Sequence, residues 1–228
     1  YTANGNNGPD LWRMFTSDGV EVNIDIPAND GFYYRDFTSP GGWVTLQNDG
    51  LTYGVGLYYE NHLTGFQGWQ NRALPFNNFR SNFPFAIPAH GTVRARSYLI
   101  IGAQGTIAAE AAALDAALAP FGVLDAPAPD AAVSGDTLAI HGWVLDNRGV
   151  TAVEAVLDGG TPMALSLGQP RPDVCAVWPG YPGCPAVGYS GTLDLSPHSY
   201  CHHLLELRAT DTDGNTRVIA RRRFSRAQ

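Results

Sequence analysis

Polar and apolar residues alternate along many short stretches of the chain, the period expected of half-buried β-strands. In Val20–Ile26 the pattern points Val20, Val22, Ile24 and Ile26 inward and Glu21, Asn23 and Asp25 outward, with Pro27 ending the strand. Residues 32–37 and 43–48 are further strands, separated by the turn Pro40-Gly-Gly42. Asn48-Asp-Gly50 has hairpin chemistry, because these residues tolerate positive φ. The strand that follows sets Tyr53, Val55, Leu57 and Tyr59 on one face and Thr52, Gly54, Gly56 and Tyr58 on the other. The two glycines leave a floor that a backbone or a flat ring can approach closely. Arg94–Gly102 closes the unit.

Between those strands, residues 58–80 read as an aromatic-rich polar loop. Past Gly102 the pattern changes. Ile107, Ala111, Leu114 and Leu118 fall at helical spacing in an Ala-rich run that Pro120 and Gly122 stop, which predicts one helix. Residues 124–132, Leu-Asp-Ala-Pro-Ala-Pro-Asp-Ala-Ala, have the composition of a stiff linker. Beyond it, strands are predicted at 137–145, 150–157, 162–167, 188–195, 201–210 and 216–224. The expected organisation is all-β. It has a β-sandwich over 1–123, a linker over 124–132 and an immunoglobulin-like sandwich over 133–228, with one short helix between the sandwiches.

Two resemblances add to this. Val133-Ser-Gly135, His141-Gly-Trp-Val-Leu-Asp146, Val156-Leu-Asp-Gly159, Trp178-Pro-Gly-Tyr-Pro182 and Ala209-Thr-Asp-Thr-Asp-Gly214 form a series. It resembles the bacterial immunoglobulin-like modules appended to large exported and surface proteins, which implies an ancillary domain without catalytic residues. Trp43, the Gly-Val-Gly-Leu-Tyr run at 54–58 and Arg96-Ser-Tyr-Leu-Ile-Ile-Gly102 are similar to accessory β-sandwich regions of secreted carbohydrate-active proteins. That likeness implies a glycan setting and no reaction centre.

The composition narrows the partners. The 228 residues carry a net charge of −7, which disfavours a nucleic-acid partner, and all 14 basic residues are arginine. The basic run Arg221-Arg-Arg223 with Arg226 reads as the solvated side of a last strand plus a tail. No apolar run approaches the roughly 20 residues needed to span a bilayer. The chain opens on Tyr1 without Met, so we expect a processed or truncated piece of a longer protein, with an upstream domain as its partner.

Three cysteines bear on the compartment. Cys175 and Cys184 bracket a turn-rich segment that can bring them together, whereas Cys184–Cys201, or three buried thiols, are the alternatives. We expect the first pairing, with Cys201 a buried thiol. A disulfide fits a secreted or cell-surface protein.

No nucleophile elbow, phosphate loop or dinucleotide fingerprint occurs. Cys201-His-His203 with His198 has metal-ligand chemistry, but neighbours on a strand point to opposite faces, so the expected role of His203 is packing. Asp211-Thr-Asp-Gly-Asn215 lacks the full oxygen set of a calcium loop and reads as a hairpin turn. Calcium elsewhere stays an unlocated alternative, and no other cofactor is indicated. Asp36, Asp49 and Glu60 are carboxylates of the kind glycoside hydrolysis needs in pairs, but nothing in the sequence brings two together.

The best case for a ligand lies in residues 58–80, where rings interleave with amides and arginine. Sugars offer apolar C–H faces to rings and hydroxyls to amides and guanidinium. The candidate binding residues are Tyr58, Trp69, Asn77, Asn78 and Arg80. The expected function is a non-catalytic accessory region of an exported bacterial protein that recognises carbohydrate. Two rivals are the C-terminal part of a glycan-degrading enzyme with its catalytic domain upstream, and a structural spacer or subunit of a surface assembly.

Overall fold

The computed structural model describes residues 2–3, 12–22, 32–60, 64–71, 76–81 and 96–227. The chain forms two compact units, Tyr1–Asp115 and Ala116–Gln228.

The first unit runs β1 (Thr2–Ala3), β2 (Arg13–Thr16), β3 (Phe32–Thr38), β4 (Trp43–Gln47), β5 (Gly54–Tyr59), β6 (Gly65–Asn71), β7 (Phe76–Ser81) and β8 (Ser97–Gly102), then helix α1 (Gln104–Ala116). These make two antiparallel four-stranded sheets, ordered β1-β7-β6-β3 and β2-β4-β5-β8. Met14, Val44, Leu46, Val55 and Leu57 of one sheet pack with Phe66 and Phe79 of the other. Burial of these side chains, at about 1.5–3 kcal/mol each, is what joins the sheets into a sandwich.

The glycine floor on β5 is covered by the protein itself. A Cβ on Gly56 would stand 2.3 Å from Cγ2 of Ile107, so the absent side chain is what lets α1 lie down on the sheet. Ile107 and Ala111 are the buried residues of that helix, one turn apart. At the other end of β5, the Asn48 side-chain oxygen accepts from the backbone N–H groups of Thr52 (2.9 Å) and Tyr53 (3.1 Å), which fixes the turn.

Three expectations for this unit change. Val20 is 58% exposed, because the chain turns back after Thr16 and Glu21 bridges Phe15; residues 23–26 of that expected strand lie outside the described residues. Residues 65–71 and 76–81 are strands and not a loop, the rings of Phe66 and Phe79 supplying core. The helix begins at Gln104 and ends at Ala116, before Leu118.

The second unit runs β9 (Phe121–Ala126), β10 (Ala131–Ser134), β11 (Thr137–Leu145), β12 (Val150–Leu157), β13 (Met163–Ala164), β14 (Ser166–Gln169), helix α2 (Pro172–Val177), β15 (Gly188–Asp194), β16 (His202–Asp211) and β17 (Thr216–Ala227). One sheet is ordered β14-β15-β11-β9 and the other β10-β17-β16-β12-β13. Taken in chain order, the first corresponds to the ABED sheet of an immunoglobulin sandwich. The second corresponds to its GFC sheet, widened by β13 and by β10, which pairs parallel to β17. Leu138, Ile140, Tyr189 and Leu195 face Val153, Leu205, Leu207 and Phe224 across one core.

The segment 124–132 is therefore not a linker. Leu124 is 2% exposed and sits in β9, hydrogen-bonded along β11, while Ala131 opens β10. Its prolines fall where the chain leaves one sheet for the other, a place where a missing N–H costs nothing. The division between units lies earlier, after Asp115. Asn215 Nδ2 donates to the carbonyls of Ala116 (2.8 Å) and Leu118 (3.2 Å), which fastens that first stretch to the second unit.

A second helix, α2, also departs from the single one expected; Pro172 at its start is suited to the first helical turn. It carries Cys175, bonded to Cys184 with Cα atoms 5.8 Å apart. The bridge staples a small satellite core of Leu145, Val174, Tyr181 and Val187, capped by the rings of Phe121, Trp143 and Trp178. Of the C-terminal arginines, Arg221 and Arg223 lie on the solvated side of β17 as expected, while Arg226 is buried. Arg221 pairs with Glu206, Arg222 donates to the Leu124 carbonyl and buried Arg226 pairs with Asp136.

Candidate functional site

Strands β3, β6 and β7 lie side by side, and their register decides which side chains share a face. Tyr34, Trp69 and Asn78 form one cross-strand row; Asp36, Gln67 and Arg80 form the next. Because residues two apart point the same way, the two rows occupy one face, opposite Phe66 and Phe79. Tyr34 stacks on Trp69 with centroids 5.0 Å apart and planes 24° from parallel. The Arg80 guanidinium lies 4.6 Å from the Trp69 ring centroid. Such contacts hold an arginine in place without consuming its five N–H donors.

A polar relay runs from the rings. Trp69 Nε1 donates to Gln67 Oε1, and Gln67 Nε2 donates to Asp36 Oδ1 at 2.8 Å. Asp36 also lines a groove of about 370 Å³ with Thr16, Asp18, Glu21, Arg35 and Thr38, within the size range of small-ligand sites. Glu21 in that groove is held below the usual carboxylate range by its hydrogen bond from Arg13, which outweighs burial.

The five sequence candidates separate. Trp69, Asn78 and Arg80 come together on this face. Tyr58 leaves the set: it is 0% exposed on the other sheet and donates to Asp115 Oδ1 (2.9 Å), because α1 covers the face on which it stands. Asn77 lies in β7 opposite Gln70, and its side chain lies outside the described residues. Sequence reasoning missed Tyr34, a ring of the face at 59% exposure. The available signal was period-2 spacing from Phe32, but only pairing with β6 gives Tyr34 its neighbour.

The cysteine and histidine run also departs from expectation. Cys201 is exposed, not buried. Its sulfur lies 3.8 Å from His203 Nε2, and His203 Nδ1 lies 2.6 Å from Asp158 Oδ2. His203 itself is 4% exposed and packs on Phe224, as a strand residue should. Burial opposes the charge on both partners, yet their mutual hydrogen bond, with the Leu204 N–H on Asp158 and the Ser199 carbonyl on His203, outweighs it. Asp158 is thereby lowered and His203 raised. His198 and Arg226 are the other charged or titratable groups around the pair.

The signs fix a pH window. The carboxylate's contribution is present above its unfolded value near pH ~3.9 and is lost on acidification. The imidazolium's is present below its unfolded value near pH ~6.5 and is lost as pH rises through the higher folded value. The pair thus supports the second unit most between those values. Urea midpoints from acid to mildly alkaline pH should fall on both sides for the wild type and fall less for Asp158→Asn. Superimposable curves would contradict this.

Among the described residues no group of three or more His, Cys, Asp or Glu is placed to hold a metal. The carboxylate of Asp211 serves its own turn, accepting from the N–H groups of Asp213 (2.9 Å) and Asn215 (2.8 Å).

No family model and no curated protein matches the chain. Solved structures resemble it weakly. An engineered protein is 20% identical with a TM-score of 0.32, over 49% of this chain and 21% of its own. The modular endo-β-1,4-mannanase from Cellulomonas fimi is 17% identical at 0.31, over 48% and 19%. The fibronectin(III)-like modules of Clostridium thermocellum CbhA are 13% identical at 0.35, over 85% and 86%. The chain thus spans about a fifth of the first two. The immunoglobulin-like arrangement of the second unit stands on its strand order.

Proposed function

We propose that this chain is an accessory region of an exported bacterial protein and that the β3-β6-β7 face of its first unit binds carbohydrate. The observation that carries the reading is the stack of Tyr34 and Trp69 with Arg80 set over it. An exposed ring takes the C–H face of a pyranose, while guanidinium, amide and carboxylate groups pair with its hydroxyls. The relay through Gln67 to Asp36 leads to a groove wide enough for a further sugar unit. An exported setting suits the Cys175–Cys184 disulfide, and no described helix is long and apolar enough to cross a membrane.

Calorimetric titration with soluble β-linked glucose, mannose and xylose oligosaccharides tests this. Tyr34→Ala should weaken binding by about 1–3 kcal/mol, the range of an aromatic anchor, and leave the melting temperature nearly unchanged because the ring is mostly exposed. Arg80→Ala should weaken it as well. Absence of binding across the series, or unaltered affinity in both variants, would remove the face from consideration.

A further inference from the structure

We propose that Cys201 is a thiol–disulfide exchange site, at which a low-molecular-weight disulfide is captured as a mixed disulfide with electrostatic help from His203. The site lies in the second unit and is independent of the carbohydrate face.

The geometry is that of a nucleophile, an imidazole and an orienting carboxylate. Cys201 is exposed, and the other two cysteines are bonded to one another. Its backbone is pinned, since Arg226 N–H donates to the Cys201 carbonyl at 2.9 Å. The sulfur has the Ser199 hydroxyl at 2.9 Å and His203 Nε2 at 3.8 Å.

The imidazole is equally constrained. Nδ1 faces a carboxylate oxygen of Asp158 (2.6 Å) and Nε2 faces the Ser199 carbonyl (2.9 Å). Both neighbours are acceptors, an arrangement that favours a proton on each ring nitrogen and so the cationic form. Asp158 cannot swing away freely, because its other oxygen accepts from Leu204 N–H at 2.8 Å. Phe224 and His198 hold the ring from its sides. While protonated, the imidazolium sets positive charge beside the sulfur, where negative charge develops as the thiol proton leaves. Arg226, stacked on Tyr200 and paired with Asp136, is the other cation of the neighbourhood.

The step balances without an added oxidant. Cys201 sulfur attacks one sulfur of the small disulfide; a new S–S bond forms and the old one breaks. The departing thiolate takes up the proton that Cys201 released. Cys201 is oxidised, and half of the disulfide is reduced to a thiol. His203 is a positioning and charge-bearing residue that keeps its own protons throughout.

The test uses the whole chain with oxidised glutathione, followed by intact mass, and with Ellman's reagent, followed by absorbance. One adduct is expected, absent in Cys201→Ser. The folded protein should react about two- to threefold faster than the same chain in urea, because a unit charge about 4 Å away in water favours the thiolate about fivefold while a more acidic thiol is a weaker nucleophile. Asp158→Asn, whose side chain is half exposed and so tolerates replacement, should lose that advantage and shift the pH profile of the rate. His203→Asn should do the same if it folds. A folded thiol that reacts no faster than the unfolded one overturns the proposal, as does an Asp158→Asn variant as fast as wild type.

Discussion

Tyr189→Ala is expected to destabilise the second unit by about 3–5 kcal/mol, the cost of emptying a large buried aromatic site. Tyr189 is 0% exposed and belongs to the core between the two sheets. Its ring lies over Gly142, where a Cβ would come within 2.5 Å of the Tyr189 hydroxyl oxygen and 2.1 Å of the Val123 carbonyl. The hydroxyl donates to that Val123 carbonyl at 2.8 Å, joining β15 to β9 across β11. Burial pushes the phenol well above its ordinary value, so it stays a donor at any physiological pH. Tyr189→Phe keeps the ring and should cost only about 1 kcal/mol, unless the orphaned carbonyl finds no water. Urea unfolding of the two variants reads both numbers. Equal costs would mean that the hydroxyl, not the ring, holds this corner together.

Ile107→Ala should cost the first unit about 2–5 kcal/mol, because its side chain is 0% exposed and fills the space over Gly56. The converse change, Gly56→Ala, sets a methyl where the Ile107 methyl already lies and should cost about 1–3 kcal/mol. The two are coupled. In Gly56→Ala/Ile107→Ala the new methyl occupies part of the vacated volume, so the double variant should be more stable than the sum of the single losses predicts. Additive losses would show that α1 does not depend on this contact. Tyr58 offers a second probe of the docking, since its hydroxyl reaches Asp115 on the same helix.

The same helix explains why part of the candidate site was unreadable. From the sequence alone, Tyr58 and Trp69 are equivalent: both are aromatic residues of the polar, ring-rich stretch 58–80. α1 lies on the face of Tyr58 and buries it, whereas Trp69 keeps partial access. Residues 124–132 failed for a related reason. Pro and Ala composition describes a linker and a sheet-crossing segment equally well, and only the partner strands distinguish them.

What the sequence determined by itself was the period. Thr137–Leu145 and Val150–Leu157 are observed with the bounds their alternation predicts, because each strand has one face on the core. The Cys175–Cys184 pairing was legible too, since a short turn-rich loop leaves little freedom between them. The tertiary structure alone decided the rest. Asp158 is 45 residues from His203 in sequence, and Tyr34 meets Trp69 through a strand pairing that neither segment encodes locally. A side chain's face follows from a local two-residue repeat. Its neighbours and its access to solvent follow from register and from what packs above it, and those are settled by the free energy of the whole unit.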